Sequence, residues 1–555
     1  MKRFLILNIV LTFIAIILAQ NLLCQNSAPV CVTWSQCYGG YEDDDIFTAK
    51  ATPDSGIIMG GLSQSSEDDL HKNNGDYDWW ILKIDQNRDT VYSVSYGGSK
   101  YDKCRYAIGN KEDGSSMAFG SLHSLKDGDI DTSQIVGTAD SGWWLLKLDE
   151  NGKMVYQKLY NGEGLHGGRS MLQTDVGYLL CGWSTSTTNI FAGNYGSYDT
   201  YLMNVDKDGN TQWVKNYGGS GSDRCRSVIK TLDGGYAFNG GSYSNDSDFT
   251  AQNHGQRDVM VVKVDSLGNT IWKKLYGGAG MEHAFGLALD WDGNFLVAGE
   301  DSAASGDCNN VHGQYDGWIL KINQANGDTL WTLNLGDSGY QTAMRFLPLP
   351  DKGYIALLSS SSSGNSSDKI DSTTSTLGHG DIWLMRLDSN RNTIWSKQFG
   401  GSWGETANDI QIFDTGYMVW GLTASSDGDV LGHHSAKKND TNKDVWAFFV
   451  VDSTLFKADT TASIKNPFAH ENFNFTILPS PNNGKFSVQI KLLKKQDLEM
   501  EISNVIGQSI EKLKLTYSGE KLNQKIDLSH YKNGIYNITI RNTYQQLTKK
   551  VVIQN

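Results

Sequence analysis

The sequence predicts an all-β chain, a seven-bladed β-propeller closed by its N-terminal strand and followed by a small Ig-like β-sandwich. Three observations carry the prediction. One phrase recurs seven times, about 60 residues apart, the spacing of propeller blades rather than of helical repeats. Each copy breaks into four short β-branched or aromatic strands separated by Gly/Asp/Asn turns of hairpin type. With 60 Gly but only 7 Pro, and 16 Trp, 25 Tyr and 19 Phe, the composition suits many short strands and tight turns.

The phrase closes each unit as Trp34…Tyr38-Gly39-Gly40, Tyr92…Tyr96-Gly97-Gly98, Tyr156…Tyr160-Asn161-Gly162 and Trp213…Tyr217-Gly218-Gly219. It continues as Trp272…Tyr276-Gly277-Gly278, Trp331…Leu335-Gly336 and Trp395…Phe399-Gly400-Gly401. In the unit after Tyr217 the strands run from Ser222, from Tyr236, from Asp258 and from Ile271, with turns at Leu232-Asp233-Gly234-Gly235 and Leu267-Gly268-Asn269. A fourth strand, Val32 to Tyr38, precedes every unit, and nothing equivalent follows Asp452. The N-terminal strand is therefore expected to complete the last blade and remove a free sheet edge. Turns between strands one and two and between three and four are short and share one face. The opposite face carries the blade connections and every long loop, so function is expected there.

Lys2 and Arg3 precede an apolar run from Phe4 to Leu18 and a polar exit, the layout of a signal peptide over 1–25. The remaining boundaries are a propeller over 31–455, a linker over 456–472 and a compact C-terminal module over 473–555. From Asn26 to Glu471 there are 34 basic against 56 acidic side chains, a balance of −22. So acidic a body excludes nucleic acid and anionic membranes as partners. A monomer is expected. Six cysteines follow the signal, without a Cys-x-x-Cys pair, so a zinc or redox site is not expected. Cys104 and Cys225 share a slot that holds Ala in other copies, and read as small buried side chains.

The long loops hold acidic pairs at one-residue spacing: Asp127 and Asp129, Asp246 and Asp248, Asp427 and Asp429. Oxygen-rich loops of this kind can hold Ca2+, but none matches the twelve-residue calcium loop, and bonding to nearby backbone is the preferred reading. Four residues after each Gly-Gly slot stand Asp44, Asp102, His166, Asp223, Glu282, Gln341 and Glu405. They are expected to ring a mouth of the central channel, where they would attract a cation. A recurring third-strand base (Lys83, Lys147, Lys263, Lys321, Arg386) suggests instead a structural charge network between the two positions. Trp80, Trp144, Trp318, Trp383 and Trp446 read as blade-packing residues, and Trp403 as an exposed aromatic outside the repeat pattern.

Catalytic motifs are absent in the right context. Gly400-Gly401-Ser402-Trp403-Gly404 and Gly162-Glu163-Gly164-Leu165-His166-Gly167 spell known strings, but both lead into a strand where their chemistry needs a helix. His433-His434 lacks the spacing of a helical metal site. A binding or adhesion module for a glycan or protein ligand is the first functional reading. A carbohydrate-active hydrolase or lyase using channel-mouth carboxylates is the second, and a structural surface scaffold the third.

The C-terminal module carries Leu478-Pro479-Ser480-Pro481-Asn482-Asn483-Gly484-Lys485, Asn504-Val505-Ile506-Gly507-Gln508, Asp527-Leu528-Ser529, Gly534-Ile535-Tyr536 and Lys549-Lys550-Val551-Val552, in that order. It resembles the type A C-terminal sorting domain of Bacteroidota type IX secretion cargo, with Pro479, Pro481, Gly484, Gly507, Gln508, Asp527, Gly534 and Tyr536 as the matching positions. Leu478 and Ser480 depart from the commoner Tyr-Pro-Asn-Pro opening. The resemblance implies the type IX secretion machinery as a partner. It also implies a route through periplasm and outer membrane to the cell surface or medium. It implies no ligand.

Overall fold

The computed structural model describes residues 30–455 and 474–553 except 71, 111–112, 137–140, 251, 303–304, 309–310, 312–313, 337–338, 362–379, 414, 435–441, 479–484, 492–495, 505–508, 518–521, 532–533 and 542–545. The proposed signal and linker lie outside these residues. The chain divides into two compact units, 1–464 and 465–555.

The first unit is all-β and built from four-stranded antiparallel sheets of the kind that make propeller blades. Six of the sheets use consecutive strands, as in Asp44–Ala51, Ile57–Ser63, Asp78–Ile84 and Thr90–Tyr96. The seventh joins Glu405–Phe413, Gly416–Thr423 and Asp444–Asp452 to Val30–Tyr38, which pairs antiparallel with Asp444–Asp452. We number the sheets one to seven in this chain order.

Local chemistry explains the strand ends. In the turn between third and fourth strands, an Asp accepts the N–H groups two and four residues on: Asp149 from Asn151 and Lys153, both at 2.9 Å. Asp85, Asp206, Asp265 and Asp388 repeat this. Such a side-chain turn needs a left-handed residue, supplied here by Gly152 at φ 80°.

Apolar clusters form between consecutive sheets. One draws Trp79 and Ile81 of the first sheet onto Cys104, Ala118 and Trp144 of the second. Another joins Leu384 of the sixth to Trp446 and Phe448 of the seventh. The repeated Trp residues are packing residues: Trp80, Trp144, Trp318, Trp383 and Trp446 are all buried. Cys104 and Cys225 are free, buried thiols. Between the seventh sheet and the first, Arg88 lies over the Trp34 and Phe449 rings, and Asp409 accepts from Lys50 Nζ at 2.9 Å and from Ala49 N at 3.1 Å, as well as from Arg345 Nε of the sixth sheet at 2.9 Å.

Every first strand carries a β-bulge at the same place. The register slips at Phe47, Arg105, Arg169, Arg226, Phe285, Met344 and Asn408. These seven residues, one from each sheet, line a single cavity that is partly open to solvent. A bulge kinks the strand and re-aims its extra side chain, here out of the sheet edge and into the cavity.

The second unit pairs a sheet of Asn474–Leu478, Lys485–Lys491 and Leu522–Asp527 with one of Gln496–Asn504, Ser509–Tyr517, Gly534–Arg541 and Gln546–Ile553. Phe486, Val488, Met500, Ile502, Ile538 and Val551 form its core.

Candidate functional site

The sequence pointed to two acidic constellations, and the structure gives both a backbone to hold. The seven residues after the Gly-Gly slots do not face a channel mouth. All are buried, with at most 4 % of their surface exposed. Six turn back to the second Gly-slot amide: Gly40 N–H donates to Asp44 at 2.7 Å, Gly98 to Asp102 at 3.0 Å, Gly219 to Asp223 at 2.8 Å, Gly278 to Glu282 at 3.1 Å and Gly401 to Glu405 at 2.9 Å. In the third copy Gly162 N lies 3.2 Å from His166 Nε2. Gln341 is buried at the equivalent place. These residues close the connection between sheets, a correction to the expected cation-attracting ring.

The expected charge network is corrected too. The third-strand bases pair with the Asp of the turn between strands one and two. Lys83 meets Asp54 at 2.7 Å, Lys147 Asp113 at 2.8 Å and Lys263 Asp233 at 2.6 Å. Lys321 meets Asp292 at 2.7 Å, and Arg386 pairs with Asp351. They hold the opposite end of each sheet from the buried acids.

A second buried carboxylate, missed in the sequence, opens most third strands: Asp78, Asp199, Asp258, Asp316, Asp381 and Asp444. It presses on the same connection from the preceding sheet. A Cβ on Gly97 would overlap Asp78 Oδ1 and sit 3.0 Å from Asp102 Oδ2, which explains the first Gly of the slot. Burial and then neighbouring carboxylates push three acids of these connections up: Glu282 to about 7, Asp199 to about 7 and Asp78 to about 6. The third copy has Gly142 where an acid is expected and His166 opposite, so both partners change together.

The acidic loop pairs clasp the connection from outside. The first member accepts the amide after the Gly slot: Asp127 from Ser99 N at 2.9 Å, Asp246 from Ser220 N at 2.8 Å and Asp427 from Ser402 N at 2.7 Å. The second accepts from the first Gly: Asp129 from Gly97 at 3.3 Å, Asp248 from Gly218 at 3.0 Å and Asp429 from Gly400 at 3.3 Å. It also returns its own amide to that glycine's carbonyl, at 2.9, 3.2 and 2.9 Å. Bonding to nearby backbone is the preferred reading of these pairs from the sequence, and Ca2+ the alternative. These oxygens already accept N–H groups, and among the described residues no three His, Cys, Asp or Glu converge as a metal would need.

The cavity has a different character. On second, third and fourth sheets the bulge residue is Arg: Arg105, Arg169 and Arg226. Among the described residues none is ion-paired with a carboxylate, and Arg105 Nε is buried without a hydrogen-bond partner. Burial lowers each, and the other guanidiniums lower it further: Arg105 to about 10, Arg169 and Arg226 to about 9. Asp45 acts electrostatically on Arg105 and Glu300 on Arg226. Glu300 is engaged with His283 at 2.9 Å and with Thr342, while Asp45 accepts from Asn408 at 3.3 Å. Two residues before the bulges stand Lys103 and Arg224. Lys103 Nζ lies 4.0 Å from the Tyr101 ring and Arg224 3.7 Å from the Tyr198 ring. Tyr77 meets Tyr101 edge-on, and Tyr315 stacks on Tyr340. Trp403, on a connection, is 37 % exposed, as expected. The rest of the lining carries no unpaired charge: it joins the apolar Phe47, Phe285 and Met344 to hydroxyl and amide side chains such as Ser170 and Asn408, and Arg345 is paired with Asp409.

In the second unit Asp527 ends its strand by accepting from Ser529 N at 3.0 Å, and Tyr536 is buried. Gly534 begins a strand. Pro479, Pro481, Gly484, Gly507 and Gln508 lie outside the described residues. Residues 476–554 match the family described as the secretion system C-terminal sorting domain. The module is a type IX secretion sorting domain. A chain carrying this sorting domain is exported cargo, secreted or held at the cell surface. No curated protein matches the chain. Among solved structures it is similar to a Synechocystis apocarotenoid oxygenase mutant (12% identity, 64% of this chain and 72% of that one, TM-score 0.36). A puromycin hydrolase (11%, 80% and 58%, 0.38) and a PL25 ulvan lyase (10%, 72% and 97%, 0.39) are others.

Proposed function

We propose that the exported protein is a non-catalytic binding module, a closed seven-bladed propeller over 31–455 that meets a glycan or protein ligand on its long-loop face. A linker over 456–472 then leads to the sorting domain, and residues 1–25 serve as the signal peptide. The closed propeller is supported by the pairing of Val30–Tyr38 with Asp444–Asp452 and by the one cavity to which all seven first strands contribute. The observation that carries binding over catalysis is access. Glu282 is pushed up to about 7, the range of a general acid, but it is fully buried and bonded to Gly278 N–H. Glu405 is raised too, and equally enclosed. A hydrolase or lyase needs such a carboxyl within reach of a substrate. The acidic loop pairs act in this reading as clasps rather than as calcium ligands.

The test is retention of the purified full chain on a panel of polysaccharides, with calcium and with chelator. Retention without shortening of the polysaccharide, weakened in Trp403→Ala, is expected. Release of shortened or unsaturated products would replace the binding reading by an enzymatic one. Retention lost on chelation would restore calcium to the loops.

A further inference from the structure

We propose that the arginine arc of the central cavity binds an oxyanion group (sulfate, phosphate or carboxylate) on a ligand whose apolar part lies against Phe285 and Met344. The proposal deepens the binding reading, but it rests on the cavity and not on the loops. Retention on polysaccharide and oxyanion binding can therefore fail independently.

Four features support it. The three guanidiniums come from adjacent sheets at one level of the cavity, because the bulge recurs at one position of the first strand. Their planar forks each present several N–H donors, which suit an oxyanion, and among the described residues no carboxylate pairs with them, although Arg105 lies 3.8 Å from the Phe47 ring and Arg226 5.1 Å from the Phe285 ring. They are gathered at one place in a domain whose balance is −22. Finally, like charges gathered in a partly desolvated cavity repel one another. Each of the three is held below its ordinary value by the others as well as by burial, so a bound anion would relieve a cost that the protein alone carries.

The opposite arc sharpens the ligand. Arg345 is also at the cavity, but Asp409 holds its Nε at 2.9 Å and Met344 O accepts from its Nη1 at 2.8 Å. Beside it Phe285 and Met344 offer an apolar wall. Phe285 lies 5.1 Å from the Arg226 guanidinium, so an uncharged body on this wall would adjoin the oxyanion.

Calorimetric titration of the purified full chain with sodium sulfate, against sodium chloride at equal ionic strength, tests the site. Saturable heat with sulfate and none with chloride is expected. Arg169→Gln and Arg226→Gln should each weaken sulfate about tenfold, the loss of one charge-assisted hydrogen bond. Lys147→Gln, an equal change of net charge at a surface ion pair, should leave it unchanged. Arg169→Lys keeps the charge and loses the fork, so it should fall between wild type and Arg169→Gln, and it separates binding from any failure to fold. No saturable heat in the wild type, or unaltered affinity in both Gln variants, overturns the proposal. Phenyl sulfate binding more tightly than inorganic sulfate supports the apolar wall as part of the site. Equal affinities overturn that part and leave the free ion as the ligand.

Discussion

Two sets of side chains lie three residues apart along the same seven strands, and their chemistry diverges. The first set, from Asp44 to Glu405, is acidic in five copies and able to accept a hydrogen bond in all. The second, from Phe47 to Asn408, holds two Phe, three Arg, a Met and an Asn. The first set meets the same amide in six of the seven repeats, so these copies are under the same demand. The second faces a shared cavity, where each copy meets a different part of whatever is inside. Uniform chemistry at a repeated place marks a structural part. Varied chemistry at a repeated place marks a surface free to specialise.

Mutation can break this comparison, and the largest effect is expected in the first set. Asp102 accepts from Gly98 N, His123 N and Ser124 N, so Asp102→Ala leaves three amides without their acceptor and should cost about 3 kcal/mol. Urea unfolding followed by Trp fluorescence reads this cleanly, since all 16 Trp precede residue 456. A loss no greater than that of a surface substitution would show the first set to be dispensable.

The next effect is a pH dependence. Glu282 is raised from its ordinary 4.5 to about 7, first by burial and then by carboxylates such as Asp258. A carboxyl raised on folding binds its proton more tightly in the folded state. Its contribution is therefore fully present below pH 4.5 and lost as pH rises through about 7. The unfolding temperature of the wild type should fall across that window. Glu282→Gln, the choice the chain itself makes at Gln341, should flatten the fall and raise the midpoint at neutral pH. A fall of equal size in the variant would dissociate Glu282 from it.

Asp129→Ala removes a clasp made to Gly97 N, Asn74 and Lys72 at a more exposed place, and a loss of about 1 kcal/mol is expected. Added calcium should leave the wild-type midpoint where it is. A calcium-dependent rise abolished in Asp129→Ala would make the clasp a metal site. The smallest effect belongs to the second set: Arg169→Gln should change stability by less than about 0.5 kcal/mol, or increase it, because it removes repulsion and breaks no hydrogen bond. A large loss would give Arg169 a structural role and erase the contrast.

Much of the architecture was legible in the chain. The Gly-Gly slot, the Asp-x-x-Gly turns and the Trp-bearing strands are local solutions to local constraints, and each repeats its residues because it repeats its geometry. The C-terminal module was legible from ordered motifs alone. The destination of the acids was not. Asp129 read as a loop acid bonding to backbone or holding calcium, and Asp102 as part of a charge network or a cation ring, because an amide acceptor and a metal ligand are the same residue type in the same kind of loop.

By itself the sequence determined the all-β class, the four-stranded units and the export route, since periodicity, turn chemistry and a motif are all written in near neighbours. Only the tertiary structure decided which residues meet at the centre. A regular strand sends its side chains to two faces in alternation, and both faces of these sheets are covered by neighbouring sheets. Arg105, Arg169 and Arg226 reach the cavity through a third direction, out of the sheet edge, which exists only where the pairing of first and second strands slips by one residue. That slip is a property of two strands together, and no pattern along one of them records it.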